Sequence, residues 1–421
     1  MCALAHRQGV TMPVAFPPQF LWGASTAPHQ IEGNNVNSDF WANEGRHPGM
    51  ERSGDACDSY HRYSEDMQLL ADAGFNSYRF GIEWARIEPA RGHFSNAELA
   101  HYRRMIDTAK ELGLEPVVTL QHFTTPRWFA ENGGWLADDA PQLFGAYVER
   151  VCSILGDVNW VATINEPNML AMMASMAQLM ASAEASDWQS PTVEHSSNGE
   201  SESAPSRPSV LPDPDPAIGR RLIAAHEIAR GTVRRLTSAK VGWTVANGAL
   251  VARPGCDEVL DRVQYVREDM YLEASRADDF VGVQSYSSQW VGPDGVEPHP
   301  PHPDNTLVNT AYRPDALAIA VRHTAAVTDG TPVLVTENGI AVTDDRRRIA
   351  YTGEALKGLA ETMQDGVDVR GYLHWSLLDN FEWGHWEPTF GLVAVDRETF
   401  VRSPKPSLQW LGEVARTGKV A

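Results

Sequence analysis

The feature that most limits what this chain can fold into is a pattern met eight times. A short apolar or β-branched run leads to a polar or Gly/Pro corner and then to a stretch with helical periodicity. The runs are Phe20–Thr26, Phe75–Gly81, Glu115–His122, Trp160–Asn165, Lys240–Asn247, Asp279–Tyr286, Pro332–Gly339 and Val369–Leu377. Val, Ile, Thr and aromatic residues suit a pleated strand, and the runs are strand-length. Between them, Leu99, Tyr102, Ile106 and Ala109 recur at helical spacing over about 96–112, and Gly113 ends that helix. Strands separated by helices pair in parallel, and eight such units close into a barrel. The predicted fold class is therefore α/β: a single (β/α)8 barrel with elaborated βα loops over residues 16–421. An open doubly wound sheet is the rival, but it usually begins with a Gly-rich turn that this chain lacks.

Composition narrows the partners. With 421 residues, 43% hydrophobic and 13 of them Trp, the chain can bury a large core. No apolar run is long enough to span a membrane. A net charge of −20 argues against nucleic acid or an anionic membrane as partner. Cys2, Cys57, Cys152 and Cys256 are scattered without a C-x-x-C pair, so zinc and redox motifs are absent. Residues 1–15 read as a poorly ordered leader without a signal-peptide pattern, which points to the cytoplasm. The Ser-, Glu-, Asp- and Pro-rich stretch at about 183–216 reads as a mobile loop after the fourth strand, either a lid or a tolerated insertion. Just before it, Met169–Met180 holds five methionines. They are core filler or an adaptable apolar wall.

Two strand ends carry the chemistry. Trp160–Asn165 runs into Glu166 and then Pro167, which has no N–H to continue a ladder. Val335-Thr336-Glu337-Asn338-Gly339 places a second glutamate in the same setting. Two carboxylates at one barrel mouth suit cleavage of a glycosidic bond. One must be protonated to release the leaving oxygen, and the other ionised to attack the anomeric carbon.

These motifs resemble glycoside hydrolase family 1, the β-glucosidase family. The likeness covers about Phe16 to Trp410 and rests on four separated segments. They are Phe20–Thr26 with Gln30-Ile31-Glu32-Gly33, Asn165-Glu166-Pro167, Thr336-Glu337-Asn338-Gly339, and Trp375–Trp383. The resemblance implies a retaining double displacement on small β-glycosides, with Glu166 as acid/base, Glu337 as nucleophile and no cofactor or metal. The carboxyl groups would then stand about 5–5.5 Å apart. By the same likeness Asn165 bonds the sugar 2-hydroxyl and Tyr286 bonds the nucleophile. Arg79 keeps the nucleophile ionised, since a nearby cation lowers a carboxylate's pKa. Gln30 and Glu382 bind the 3-, 4- and 6-hydroxyls, helped by His122 and Trp383, while Trp375 floors the sugar and Phe390 joins the wall. On residue type alone, His122 and Trp375 also read as ordinary core residues.

Some positions depart from the family. Gln284-Ser285-Tyr286 stands where Asn-Tyr-Tyr is usual, so the substrate-side amide Gln284 is one methylene longer. His122-Phe123-Thr124 stands where His-Trp-Asp or His-Trp-Asn is usual. Glu382-Trp383 is kept and no Lys or Arg follows through Glu387, which favours an unphosphorylated sugar. The expected substrate is a terminal β-D-glucoside, β-fucoside or β-galactoside, with a hydrophobic aglycone in view of the methionines. A carbohydrate-binding barrel without catalysis, and a transglycosylase using the same intermediate, are the alternatives.

Overall fold

The computed structural model describes residues 15–46, 49–176 and 210–420. Residues 1–14 of the expected leader, 177–180 of the methionine stretch and 183–209 of the expected loop lie outside the described residues. All eight expected runs are strands: β1 (Leu21–Ser25), β2 (Ser77–Gly81), β3 (Glu115–Thr119), β4 (Trp160–Asn165), β5 (Lys240–Ala246), β6 (Val281–Gln284), β7 (Val333–Asn338) and β8 (Val369–Trp375). Each pairs in parallel with its neighbours in the sequence, and β8 returns to β1, closing the barrel.

A ring of helices covers it: α1 (Ser59–Ala73), α2 (Asn96–Glu111), α3 (Ala140–Cys152), α4 (Pro216–Leu236), α5 (Asp257–Gln264), α6 (Ala316–Val327), α7 (Asp345–Gln364) and α8 (Pro406–Thr417). After α5 the chain widens into a π turn at Tyr265–Asp269 before Met270–Ala274. One face of each main helix is buried against the strands, as with Leu99, Tyr102, Ile106 and Ala109 of α2. Gly113 takes φ 74° just after that helix, a left-handed value glycine adopts without a Cβ clash.

The inside of the barrel has two levels. Val117, Trp160, Ala162, Phe280, Leu334 and Leu373 form an apolar floor. Above it lie buried polar groups, Arg79, Asn165, Gln284 and Glu337 among them. Strict alternation along β7 would turn Leu334 and Thr336 inward and Glu337 outward. A register shift prevents this: Val335 pairs with Val283, but Glu337 pairs with Gln284. The extra residue re-aims the strand end, as a bulge does. β4 is shifted in the same way, between Ala162 opposite Gly242 and Asn165 opposite Thr244. The two strands that carry or lead into the candidate carboxylates are therefore ones whose ladders are broken to turn a polar side chain inward.

Candidate active site

Glu337 is 4% exposed and its carboxylate is held by three donors. Arg79 Nη1 donates to Oε1 at 2.6 Å, Gln284 Nε2 to the same oxygen at 2.7 Å, and Tyr286 Oη to Oε2 at 2.5 Å. Arg79 is itself fully buried in β2. Its other nitrogens reach Thr119 Oγ1 at 3.0 Å and Asn165 Oδ1 at 2.5 Å. A guanidinium only donates, so the Asn165 oxygen must face it, and Thr244 Oγ1 donates to that oxygen too, at 3.0 Å. The Asn165 Nδ2 group is left as a buried donor without a partner among the described residues. Buried polar groups normally have partners, so this one fits a hydroxyl supplied from outside.

Glu166 sits one residue beyond the ladder. Its backbone takes φ 45°, a left-handed value that is costly for a residue with a Cβ. Pro167 follows as the first residue of a helix running over 167–176, so the corner is at once a strand end and a helix start. Burial and the charge of Glu337 push the Glu166 carboxyl well above the usual carboxylate range. No hydrogen bond to the charged form opposes this among the described residues; Arg79 offsets it only in part. The Glu337 carboxyl is also raised, by burial, against the pull of Arg79 and the Tyr286 hydroxyl. Arg79 does lower it as expected, but burial is the larger effect. Tyr286 is held well above its ordinary pKa by burial and by Glu337, so it remains a donor.

The proposed sugar-side residues lie at the same mouth. Gln30 Nε2 donates to Glu382 Oε2 at 3.0 Å and to Asn380 Oδ1 at 2.9 Å, leaving its own buried oxygen unpartnered. His122 lies nearly parallel to Trp375 (5.9 Å, 22°) and to Trp383 (6.2 Å, 17°). Burial and Arg79 hold its imidazole well below the usual pKa, which favours the neutral ring, and its Nδ1 has no partner among the described residues. Trp375 packs with Phe390, whose ring meets Tyr286 edge-on at 5.8 Å. These contacts join nine of the twelve sequence-derived positions; Gln30 and Glu382 form a pair of their own, and Glu166 is tied to the others through the charges of Glu337, Arg79 and Glu382.

Other residues at the mouth escape a motif reading. Thr244 shows only as a threonine near a strand end. Phe123 packs edge-on to Trp383 at 5.0 Å, and both have left-handed backbones, φ 64° and 46°. Thr124 turns away to bond Glu83 at 2.7 Å. No Lys or Arg follows Glu382 through Glu387, as read from the sequence, and Arg397 from farther along the chain lies over the Trp386 ring at 4.0 Å. One expectation needs correction. The end of the expected mobile stretch is tied down, because Arg267 bonds Asp213 Oδ1 (2.8 Å) and the Leu211 carbonyl (2.6 Å), and Asp215 caps α4. No group of three or more His, Cys, Asp or Glu among the described residues is arranged to hold a metal ion.

A family model described as Glycosyl hydrolase family 1 matches residues 12–204 and 261–420. This chain belongs to glycosyl hydrolase family 1. Among its relatives in the family, thermostable beta-glucosidase B of Thermobispora bispora is 30% identical over 456 residues, covering 96% of this chain and 91% of that protein. A bifunctional beta-D-glucosidase/beta-D-fucosidase of Bifidobacterium breve is 29% identical over 482 residues, covering 95% and 98%. The solved structure of a beta-glucosidase designated 1317 superposes with TM-score 0.83 at 41% identity, covering 95% of this chain and 99% of that one. Like them, this family member is a β-glycosidase, an O-glycoside hydrolase of the β-glucosidase type.

Proposed function

We propose that the enzyme cleaves the terminal β-D-glucosyl residue of small O-glycosides by double displacement, and accepts β-fucosyl or β-galactosyl residues as well. The observation that carries this reading is the unequal setting of two carboxyls at one mouth. Among the described residues Glu337 has three donors to stabilise its anion, and Glu166 has none and is repelled by Glu337. Neighbouring groups thus favour an ionised Glu337 beside a protonated Glu166, the division that acid-assisted nucleophilic displacement requires. Glu337 would bond to the anomeric carbon as the glycosidic C–O bond breaks, and the leaving oxygen would take the proton of Glu166. Water would then give a proton to Glu166 and its oxygen to the anomeric carbon, freeing Glu337. The partnerless Asn165 amide would meet the sugar 2-hydroxyl, and the Gln30–Glu382 pair the hydroxyls farther round the ring.

The fucoside activity in the name of the Bifidobacterium relative supports testing that sugar. Met172 is buried and Met173 exposed on the helix that follows Glu166, and an exposed apolar side chain so soon after the acid supports including hydrophobic aglycones among the substrates tested. The test is Glu337→Ala with an activated aryl β-glucoside and added azide or formate. Turnover should vanish and return with the anion, giving the α-configured product. Turnover by the variant at the parent rate, or glucoside binding by the parent without any hydrolysis, would refute the reading.

A further inference from the structure

Gln284 holds a position that its residue type does not explain. A glutamine at the end of β6 would ordinarily offer its amide to a ligand, but both amide hydrogens are taken within the protein. One goes to Glu337 Oε1 at 2.7 Å and the other to Asn165 Oδ1 at 2.9 Å. The orientation of the amide follows from its neighbours. Asn165 Oδ1 already accepts from Arg79, and a carboxylate accepts only, so the nitrogen of Gln284 must face both. Its backbone is placed by the shift in the β6–β7 ladder, which puts Gln284 directly opposite Glu337. The residue is 1% exposed, and its side-chain oxygen has no donor among the described residues.

We propose that Gln284 is a positioning residue that clamps Glu337 and Asn165 into one unit. Through Glu337 Oε1 it fixes the plane of the carboxylate and leaves Oε2, with the single Tyr286 donor, as the oxygen that forms the bond to sugar. Through Asn165 it ties that orientation to the amide expected at the 2-hydroxyl. The added methylene relative to asparagine is what lets one amide reach both acceptors from β6. The inference rests on Glu337 being the nucleophile.

A 2-deoxy-2-fluoro-β-glucosyl fluoride tests it with the full-length enzyme. Attack by Glu337 forms the ester bond to the anomeric carbon as the C–F bond breaks, and fluoride leaves with the bonding pair. The probe lacks the 2-hydroxyl, so its rate reports the Glu337 arm of the clamp and not the Asn165 arm. Gln284→Met keeps the length and removes the amide. It should form the label ~10- to 100-fold more slowly, and the pH dependence of labelling should move about one unit alkaline, the worth of one hydrogen bond to a charged group. Gln284→Asn is too short to reach both acceptors and should fall between; it decides the matter if Gln284→Met does not fold. Parent-like rates and pH dependence in a folded variant would overturn the proposal. A label found on a residue other than Glu337 in the parent enzyme would instead overturn the nucleophile assignment on which it stands.

Discussion

Replacing Arg79 with methionine should move the whole pH–activity profile alkaline. Arg79 is fully buried, and its guanidinium lies 2.6 Å from Glu337 Oε1. With charge centres about 4 Å apart and an effective dielectric of about 20, the attraction is worth about 4 kcal/mol, or about three pKa units. Gln284 and Tyr286 still donate in the variant, so the acid limb, set by ionisation of Glu337, should rise by about two to three units. Arg79 also lowers the Glu166 carboxyl, so the alkaline limb should rise as well. At a fixed pH near 6, kcat/KM should fall ~100-fold or more and recover in part toward pH 9. The linked stability has a definite sign. A carboxyl whose folded pKa is raised adds stability at low pH and loses it as pH rises through that pKa. The melting-temperature deficit of Arg79→Met should therefore be small in acid and grow through neutrality. Activity is to be followed with an aryl β-glucoside from pH 4 to 10, alongside thermal unfolding at each pH. A lower but unshifted profile would mean that Arg79 only supports the local structure, and the electrostatic argument would fail.

Three further changes separate acid catalysis, sugar recognition and fold. Glu166→Gln should lose most turnover on alkyl and weakly activated aryl glucosides while keeping formation of the glycosyl-enzyme from a dinitrophenyl glucoside, whose departure needs no proton; equal losses on both, read from the phenol burst, would contradict an acid role. Gln30→Leu removes the amide that bonds Glu382 and Asn380 and should raise KM for a glucoside ~10- to 100-fold, with a smaller effect on kcat; a fall confined to kcat would place the residue elsewhere in the reaction. Arg402→Met leaves Asp66 buried without its ion-pair partner, each being 1% exposed, and should cost about 3–5 kcal/mol in denaturant unfolding with kcat/KM unchanged in the folded fraction.

Much of this architecture could be read from residue patterns, for reasons that also mark where the reading stops. Parallel strands buried on both faces are continuous apolar runs, so Val333–Val335 or Val281–Val283 stand out in the chain. The carboxylates stand out because each follows such a run. What has no local signal is the placement of side chains across strands. Alternation alone turns Asn165 and Glu337 out of the barrel, and only the shifted ladders turn them in. The contacts of Thr244 with Asn165 and of Gln284 with Glu337 depend on those shifts, which arise between strands and not within either one. Arg397 was equally hidden, because it approaches Trp386 from eleven residues farther along the chain.

The same shifts account for the unequal chemistry of the two glutamates. Glu337 is still inside the ladder, so its neighbours on β2 and β6 are near enough to donate to it. Glu166 lies one residue past its ladder, where the left-handed turn into Pro167 carries it away from those donors but leaves it buried and within the field of Glu337. Both carboxyls are desolvated, so burial alone cannot tell them apart. The difference comes from where each strand stops relative to its bulge. A residue inserted between Thr163 and Asn165 would be more damaging than most changes at the pocket surface, because it would shift Glu166 relative to Glu337 while leaving every functional side chain in the chain.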